Sequence, residues 1–471
     1  MARFVGRSRE LAMLSAELER TSASPGDARP GRCLLVRGRR RVGKSRLIET
    51  FVDRARAPCL FFTASGASTG VELAQFRQDA TESSLPSRDV LAAGRPGDWS
   101  EALRLLAASV PDDVVSIVVM DELPYLMDRD HEFEGILQRA WDRHLARKPV
   151  LLILVGSDLS MMEALNDYRR PFHQRGREMI VGPLNPRDLS EMLRLPPADA
   201  FDASLVTGGL PLICTDWQPG HDLWEFLEYS LNNPTSPLLV SAERSLAAEF
   251  PQRAQAREVL SAIGSGERTF TNIGRAAGGL SSTPLQRSLA TLVDKRIVAD
   301  DLPLSTRPSK ERRYRITDPY LRFWLRFVAP SMPEIERGRA DLTLARIRRD
   351  WTSWRGRTVE PLLRDALARK LPDNALPTAP AIGSYWTRTN DVEIDIIGAD
   401  RAPVANQLLF VGSIKWLEHT AFDDHDLAEL YRQRAAVTDG PLATVAVSRS
   451  GVACDGLTAT YGPDELIDAW E

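Results

Sequence analysis

Four continuous apolar runs organise the first third of the chain: RCLLVR at 32–37, PCLFFTAS at 58–65, VVSIVVMDE at 114–122 and VLLILVGS at 150–157. None alternates apolar with polar positions, so each predicts a strand covered on both faces, as in a parallel sheet between two layers of helices. Stretches with helical spacing, such as ILQRAWDRHLA at 136–146, separate them, and the alternation predicts an α/β domain. Past residue 183 the pattern breaks into short helical pieces interrupted by PLNPRDL and GGLPL, which predicts a small helical lid. From about 252, QAREVLSAIGSG, TFTNIGRAAG and SSTPLQRSLATLVDKRIV give three helix-sized segments, followed by a charged stretch and the strand-like RRYRITD. That order predicts a winged helix. The aromatic segment PYLRFWLRFV at 319–328 has the spacing of a packing helix. A last section opens with WRGRTVEPLLRDALARKL, crosses the Pro-rich LPDNALPTAPAI and ends in strands around VEIDIIG, QLLFVGSIKW and LATVAVS, predicting a final α/β domain.

The first apolar run leads directly into GRRRVGKS at 38–45, and helical spacing resumes at once in SRLIETFVDRA. Strand, glycine-bounded loop and helix in this order are the setting in which backbone N–H groups and a helix N-terminus cradle phosphates. Gly38 and Gly43 give the loop its freedom, and Arg39, Arg40, Arg41, Val42 and Arg46 complete the predicted cradle. Lys44 is expected to reach the β- and γ-phosphates of ATP, and the Ser45 hydroxyl to sit on Mg²⁺. In IVVMDE at 117–122, four apolar residues bury a strand and deliver two carboxylates at its C-terminal end, where doubly wound sheets place their ligands. Asp121 is expected to hold the magnesium and Glu122 to polarise the attacking water. Ser157, at the end of the fourth run, is expected to contact the γ-phosphate or that water.

Composition narrows the setting. At 471 residues the chain exceeds one ordinary core, so several domains are expected. Hydrophobic residues at 43% and charged residues at 26% match soluble globular proteins. No apolar run approaches the roughly 20 residues that span a bilayer, and MARFVGRSREL lacks the apolar centre of a signal peptide; a cytoplasmic protein without membrane contact is expected. Cys33, Cys59, Cys214 and Cys454 have neither metal-site nor disulfide-framework spacing. A net charge of −4 gives no global attraction to nucleic acid, but residues 252–315 carry 12 Lys/Arg against 6 Asp/Glu. Within that stretch Arg287, Lys295 and Arg296 fall on the predicted recognition helix and Arg307, Lys310, Arg312, Arg313 and Arg315 bracket the predicted wing. These are expected to contact DNA phosphates, or else to be solvated on a winged helix that braces its own chain.

Taken together, FVGRSREL at 4–11, GRRRVGKS, VVMDELPYLM at 118–127, ILQRAWD at 136–142, LVGSDLSMM at 154–162, GGLPL at 208–212 and DPYLRFWLRFV at 318–328 resemble the archaeal-type ATPases of the AAA+/STAND branch. The resemblance spans nearly the whole chain. It implies a P-loop NTPase parallel sheet over 1–182, a helical lid over 183–245, a winged-helix domain over 246–335 and a C-terminal restriction-endonuclease-like α/β domain over 336–471. It also implies that the FVGR segment packs near the adenine and that an arginine after the fourth strand senses phosphate; by position this is Arg175, with Arg177 as its substitute. The last domain resembles the PD-(D/E)XK nuclease fold, whose chemistry needs an acid on one strand and an acid-x-Lys on the next. Asp395 matches the first acid, Lys415 the lysine and Glu360 the helix acid. Ser413 stands where the pattern has a carboxylate, and Glu393 shares the Asp395 face by period-two alternation. A degenerate nuclease fold that binds DNA or a protein partner is therefore expected. The function implied is an ATP-hydrolysing switch, in a chain able to form oligomers. Its alternatives are an ATP-gated metal-dependent nuclease and an ATP-binding scaffold with negligible turnover.

Overall fold

The computed structural model describes residues 4–22, 29–157, 159–165, 167–250, 255–438 and 440–471; Arg253, counted in the basic stretch, lies outside them. The protein is a mixed α/β chain that divides into two compact units, Met1–Pro183 and Leu184–Glu471. Among the described residues no helix is long and apolar enough to cross a membrane.

In the first unit the four apolar runs become β1 (Arg32–Arg37), β2 (Cys59–Thr63), β3 (Ser116–Asp121) and β4 (Val150–Gly156). A short β5 (Arg177–Ile180) joins them, and the order across the all-parallel sheet is β2-β3-β4-β1-β5. Every residue of β3 and β4 is buried, the burial that their unbroken apolar sequences require. On one side Phe62, Phe76, Trp99 and Phe133 pack edge to face with centroids 5.3–5.9 Å apart, a favoured geometry for aromatic pairs. Because β4 runs between β1 and β3, the loop leaving β1, the carboxylates ending β3 and the residue after β4 all open at one edge of the sheet.

The second unit begins with five helices between Pro186 and Glu249 and continues with the helices Gln255–Ser265, Phe270–Ala276 and Ser282–Asp294. An antiparallel hairpin follows, β6 (Val298–Asp301) with β7 (Arg313–Ile316). The aromatic segment forms the helix Pro319–Phe323 and one π-helical turn, Trp324–Val328. A 31-residue helix, Ala340–Lys370, then leads into a mixed five-stranded sheet. Its strands are β8 (Ala381–Trp386), β9 (Glu393–Ala399), β10 (Leu408–Lys415), β11 (Ala443–Ser448) and β12 (Ala459–Tyr461), ordered β12-β11-β10-β9-β8. β8, β9 and β10 are antiparallel neighbours; β11, reached through the helix Asp424–Ala435, runs parallel to β10.

The lid, three-helix and terminal segments expected as separate domains share one hydrophobic core here, from Leu184 through Leu260, Trp324 and Leu363 to Ile467. A buried charge network lies within it. Arg355, fully buried on the long helix, donates to Asp202 of the helix Pro197–Thr207 at 2.9 Å, to Glu418 at 2.6 Å and to the Trp416 carbonyl at 3.2 Å. Asp202 also accepts from the Trp416 indole at 3.1 Å and faces Arg449 at 3.2 Å.

The hairpin loop between β6 and β7 is equally committed. Leu304 is 2% exposed and packs with Ile394, Ile397 and Val411 of the terminal sheet. The Leu304 N–H donates to the Ser384 carbonyl on edge strand β8 at 2.9 Å, and Ser305 accepts from the Ala405 N–H at 2.9 Å. Its arginines are paired: Arg312 with Asp300, Arg315 with Asp301 at 2.6 Å, and Arg313 with Glu393 and, at 2.6 Å, Asn390. The expectation that these three are free for DNA phosphates is thus corrected, because carboxylates already hold their guanidinium groups. Arg287, Arg307 and Lys310 are exposed.

Candidate active site

The loop after β1 depends on two glycines. A Cβ on Gly38 would stand 2.2 Å from the Val181 carbonyl oxygen, inside van der Waals contact. Gly43 has φ 87°, the left-handed conformation that lets the chain turn into the helix Lys44–Ala55. Lys44 follows, 5% exposed, with its ammonium donating to the Gly38 and Arg39 carbonyls at 2.8 and 3.1 Å. Burial lowers its proton affinity, against the pull of Glu122 and Asp121. The loop thus holds a desolvated cation within reach of two carboxylates.

The Ser45 hydroxyl donates to Asp121 Oδ2 at 2.6 Å, and the Glu122 N–H donates to Asp121 Oδ1 at 2.8 Å. Asp121 is 3% exposed. Burial pushes its carboxyl above the usual range, and the bonds from Ser45 and Glu122 oppose that shift. Glu122 itself has φ 53° and ψ 41°, a strained conformation for a residue with a side chain. The Ser157 hydroxyl, one residue beyond β4, donates to its Oε2 at 2.8 Å. The structure therefore joins Lys44, Ser45, Asp121, Glu122 and Ser157 in one constellation, with Ser157 on Glu122.

The other sequence candidates have different places. Arg175 donates to both oxygens of Asp142, at 2.9 and 3.1 Å from Nε, and to the carbonyls of Pro171 and His173. The expected phosphate sensor is thus engaged by Asp142 of the helix Phe133–Arg143 and by two carbonyls of its own loop. Arg177 pairs with Glu17 at 2.9 Å. The Arg46 side chain lies on the exposed helix face, beside Glu49 at 3.2 Å. Arg40 reaches the Tyr125 hydroxyl at 3.3 Å, and Val42 is buried.

Two side chains that shape the loops at this edge of the sheet are not marked by the sequence pattern. Arg7, 6% exposed and itself at φ 63°, donates to the Val42 carbonyl at 2.9 Å and the Gly182 carbonyl at 2.6 Å. It binds the loop after β1 to the segment leaving β5. Its place in FVGR was the available signal. Glu72, 2% exposed, accepts from the Ser65 and Ala67 N–H groups and the Ser65 hydroxyl at 2.8–2.9 Å, shaping the loop after β2. Nothing in its local pattern marks that role.

In the second unit Glu360, Glu393, Asp395 and Ser413 line one polar pocket of about 310 Å³, with Arg357 and Asp426. Asp395 Oδ2 accepts from the Ser413 hydroxyl at 3.1 Å and the Ile414 N–H at 2.9 Å. Glu393 is held by Arg313 and, at 3.7 Å, by Arg268; Glu360 faces Arg364 at 3.4 Å. Lys415 pairs with Asp426, at the start of the helix after β10. A nuclease metal does not fit this arrangement. One oxygen of each strand acid already accepts from protein donors, and among the described residues no group of three or more His, Cys, Asp or Glu is placed to hold a metal ion.

Residues 324–427, which include Glu360, Glu393, Asp395 and Ser413 of this pocket, match the profile of a family described as archaea bacterial proteins of unknown function. An uncharacterized protein of Methanocaldococcus jannaschii is 25% identical over 436 residues, covering 91% of this chain and 90% of its own. Among solved structures, the Walker-type ATPase paby2304 of Pyrococcus abyssi is similar over 69% of this chain and 96% of its own, at 19% identity and TM-score 0.49. The ORC2 protein of Aeropyrum pernix is similar over 72% and 96%, at 14% identity and TM-score 0.45.

Proposed function

We propose that the first unit binds and hydrolyses ATP, as a switch whose state is passed to the second unit. The observation that carries this reading is the Ser45–Asp121 hydrogen bond of 2.6 Å beside Lys44, with Glu122 held by Ser157. Lys44 supplies positive charge to phosphates and the loop N–H groups orient them. Ser45 and Asp121 form a hard oxygen pair that fits Mg²⁺; they would hold it between them, and the ion would neutralise phosphate charge during transfer. Glu122 accepts the proton of the attacking water. Ser157 occupies one Glu122 oxygen, so it sets the direction in which the carboxylate points.

The pocket of the second unit supports a nuclease-like domain that does not cut. With Asp395 Oδ2 accepting from Ser413 and Ile414, and Lys415 turned to Asp426, the acid and the lysine of the cutting pattern are both engaged by protein groups.

The test is a pair of variants. Lys44→Ala should lose tight ATP binding, measured by titration calorimetry, because phosphate charge is left unneutralised. Glu122→Gln should keep ATP affinity and lower turnover at least ~100-fold, the range expected of a positioned base. Wild-type affinity in the first variant would overturn the nucleotide site; wild-type turnover in the second would overturn Glu122 as the base.

A further inference from the structure

Several arginines of the first unit are already engaged by carboxylates or carbonyls. Arg37 pairs with Glu163 and, at 3.1 Å, with Glu178. Arg7 holds the Val42 and Gly182 carbonyls, Arg46 lies on Glu49 and Arg175 on Asp142. Arg40 differs from all of these. It is exposed, four residues before Lys44 in the loop after β1, and its Nη2 donates to a neutral acceptor, the Tyr125 hydroxyl, at 3.3 Å. Among the described residues it pairs with no carboxylate.

Tyr125 fixes where that guanidinium stands. It belongs to the helix Leu123–Arg129, and its N–H donates to the Glu122 carbonyl at 3.0 Å, so the phenol rises from the turn that Glu122 opens. Its ring covers Gly66, where an added Cβ would lie 3.5 Å away, and Arg129 holds the Gly66 carbonyl at 3.0 Å. The Arg40 side chain therefore bridges the glycine-bounded loop to the turn that carries Glu122. It also stands close to Lys44: burial chiefly, and the Arg40 charge to a smaller extent, lower the proton affinity of that ammonium. Like charges side by side in one loop are relieved by an anion that both can meet.

We propose that Arg40 is a further catalytic residue of the first unit, whose guanidinium exchanges the Tyr125 hydroxyl for the γ-phosphate oxygens when ATP binds. The inference rests on the nucleotide reading given above and deepens it. In the reaction the water oxygen bonds to the γ-phosphorus as the bond from that phosphorus to the β,γ-bridging oxygen breaks. The electron pair leaves with ADP, and the water proton passes to Glu122. Arg40 transfers no proton; its planar fork spans two oxygens of the moving phosphoryl group and neutralises charge there. The exchange is favourable because a charge-assisted pair replaces a long bond to a neutral oxygen. Arg40 thus supplies the charge that Arg175, held by Asp142, does not.

The test uses the full chain and reads ADP affinity, ATP affinity and steady-state turnover on the same preparations. Arg40→Ala should bind ADP as the wild type does, bind ATP more weakly and lower kcat about 100-fold or more, the loss that follows removal of a donor aimed at developing charge. Arg40→Lys, a point charge without the fork, should recover part of kcat. Tyr125→Phe removes the competing acceptor, so it should raise ATP affinity about 2- to 10-fold, the worth of one net hydrogen bond, and leave ADP affinity unchanged. Wild-type kcat in Arg40→Ala overturns the proposal, whatever happens to affinity. So does a loss of kcat that comes with a lower melting temperature and is not recovered by Arg40→Lys, because that marks a structural role. Unchanged ATP affinity in Tyr125→Phe overturns the exchange of partners. If Arg40→Ala is unimpaired while Glu122→Gln is slow, the nucleotide reading stands without this proposal. If the wild type neither binds nor turns over ATP, that reading fails and this one with it.

Discussion

Glu360 shows how one side chain reports its surroundings. Its carboxyl is pushed up to about 7, first by burial and then by Asp395, against the pull of Arg364 and Arg322. The folded chain therefore binds a proton there that the unfolded chain, with an ordinary value near 4.5, releases earlier. Between those two values rising pH costs stability, and above about 7 the full penalty is present. Glu360→Gln, which keeps the shape and removes the charge, should leave melting temperature less sensitive to pH between 4.5 and 7 and raise it at pH 8. Calorimetric melts across that range check this; an unchanged slope would mean that the arginines compensate the charge completely. The residue itself was legible in sequence as the helix acid of a nuclease-like pattern. Its arginine neighbours were not, because Arg268, Arg313 and Arg322 come from segments 38 to 92 residues away, and only the packing of the second unit brings them together.

At the level of elements, legibility followed hydrophobic continuity. β1, β3 and β4 announce themselves as unbroken apolar runs because both faces are buried. β5, four residues of which three are exposed, carries too little apolar pattern to stand out, although it supplies the edge against which Gly38 packs. The loop after β1 was readable as a glycine-bounded turn between strand and helix, since Gly38 and Gly43 act locally. Ser157 is expected from sequence to contact the γ-phosphate or the attacking water; its bond to Glu122 is not readable there, because the order of strands sets it. The β6–β7 hairpin is the reverse case. Its arginines suggested DNA, yet their partners lie on the facing strand, or 80 residues away in the case of Glu393. Leu304 anchors that hairpin in the terminal core, so Leu304→Ala should destabilise the second unit by about 2–5 kcal/mol, the usual cost of emptying a buried leucine site. Chemical denaturation measures it. A change below about 1 kcal/mol would show that the loop lies on the surface and that the paired arginines alone hold it.

For the whole molecule, the feature with the widest reach is the single core running from Leu184 to Ile467, closed by Arg355 and Asp202. Three segments that look separable along the chain are interlocked in space, and that constrains how such genes can exchange parts. Recombination at the end of the first unit leaves both cores intact. A crossover near 245 or 335 instead pairs half of one core with half of another. It can also strand Arg355 without Asp202, and a buried charge that loses its partner costs about 3–5 kcal/mol. Chimaeras built with a diverged relative of the same architecture should thus be soluble and melt cooperatively when joined at 183, and aggregate when joined at 335. Equal solubility at both junctions would mean that the segments are inherited as independent modules after all.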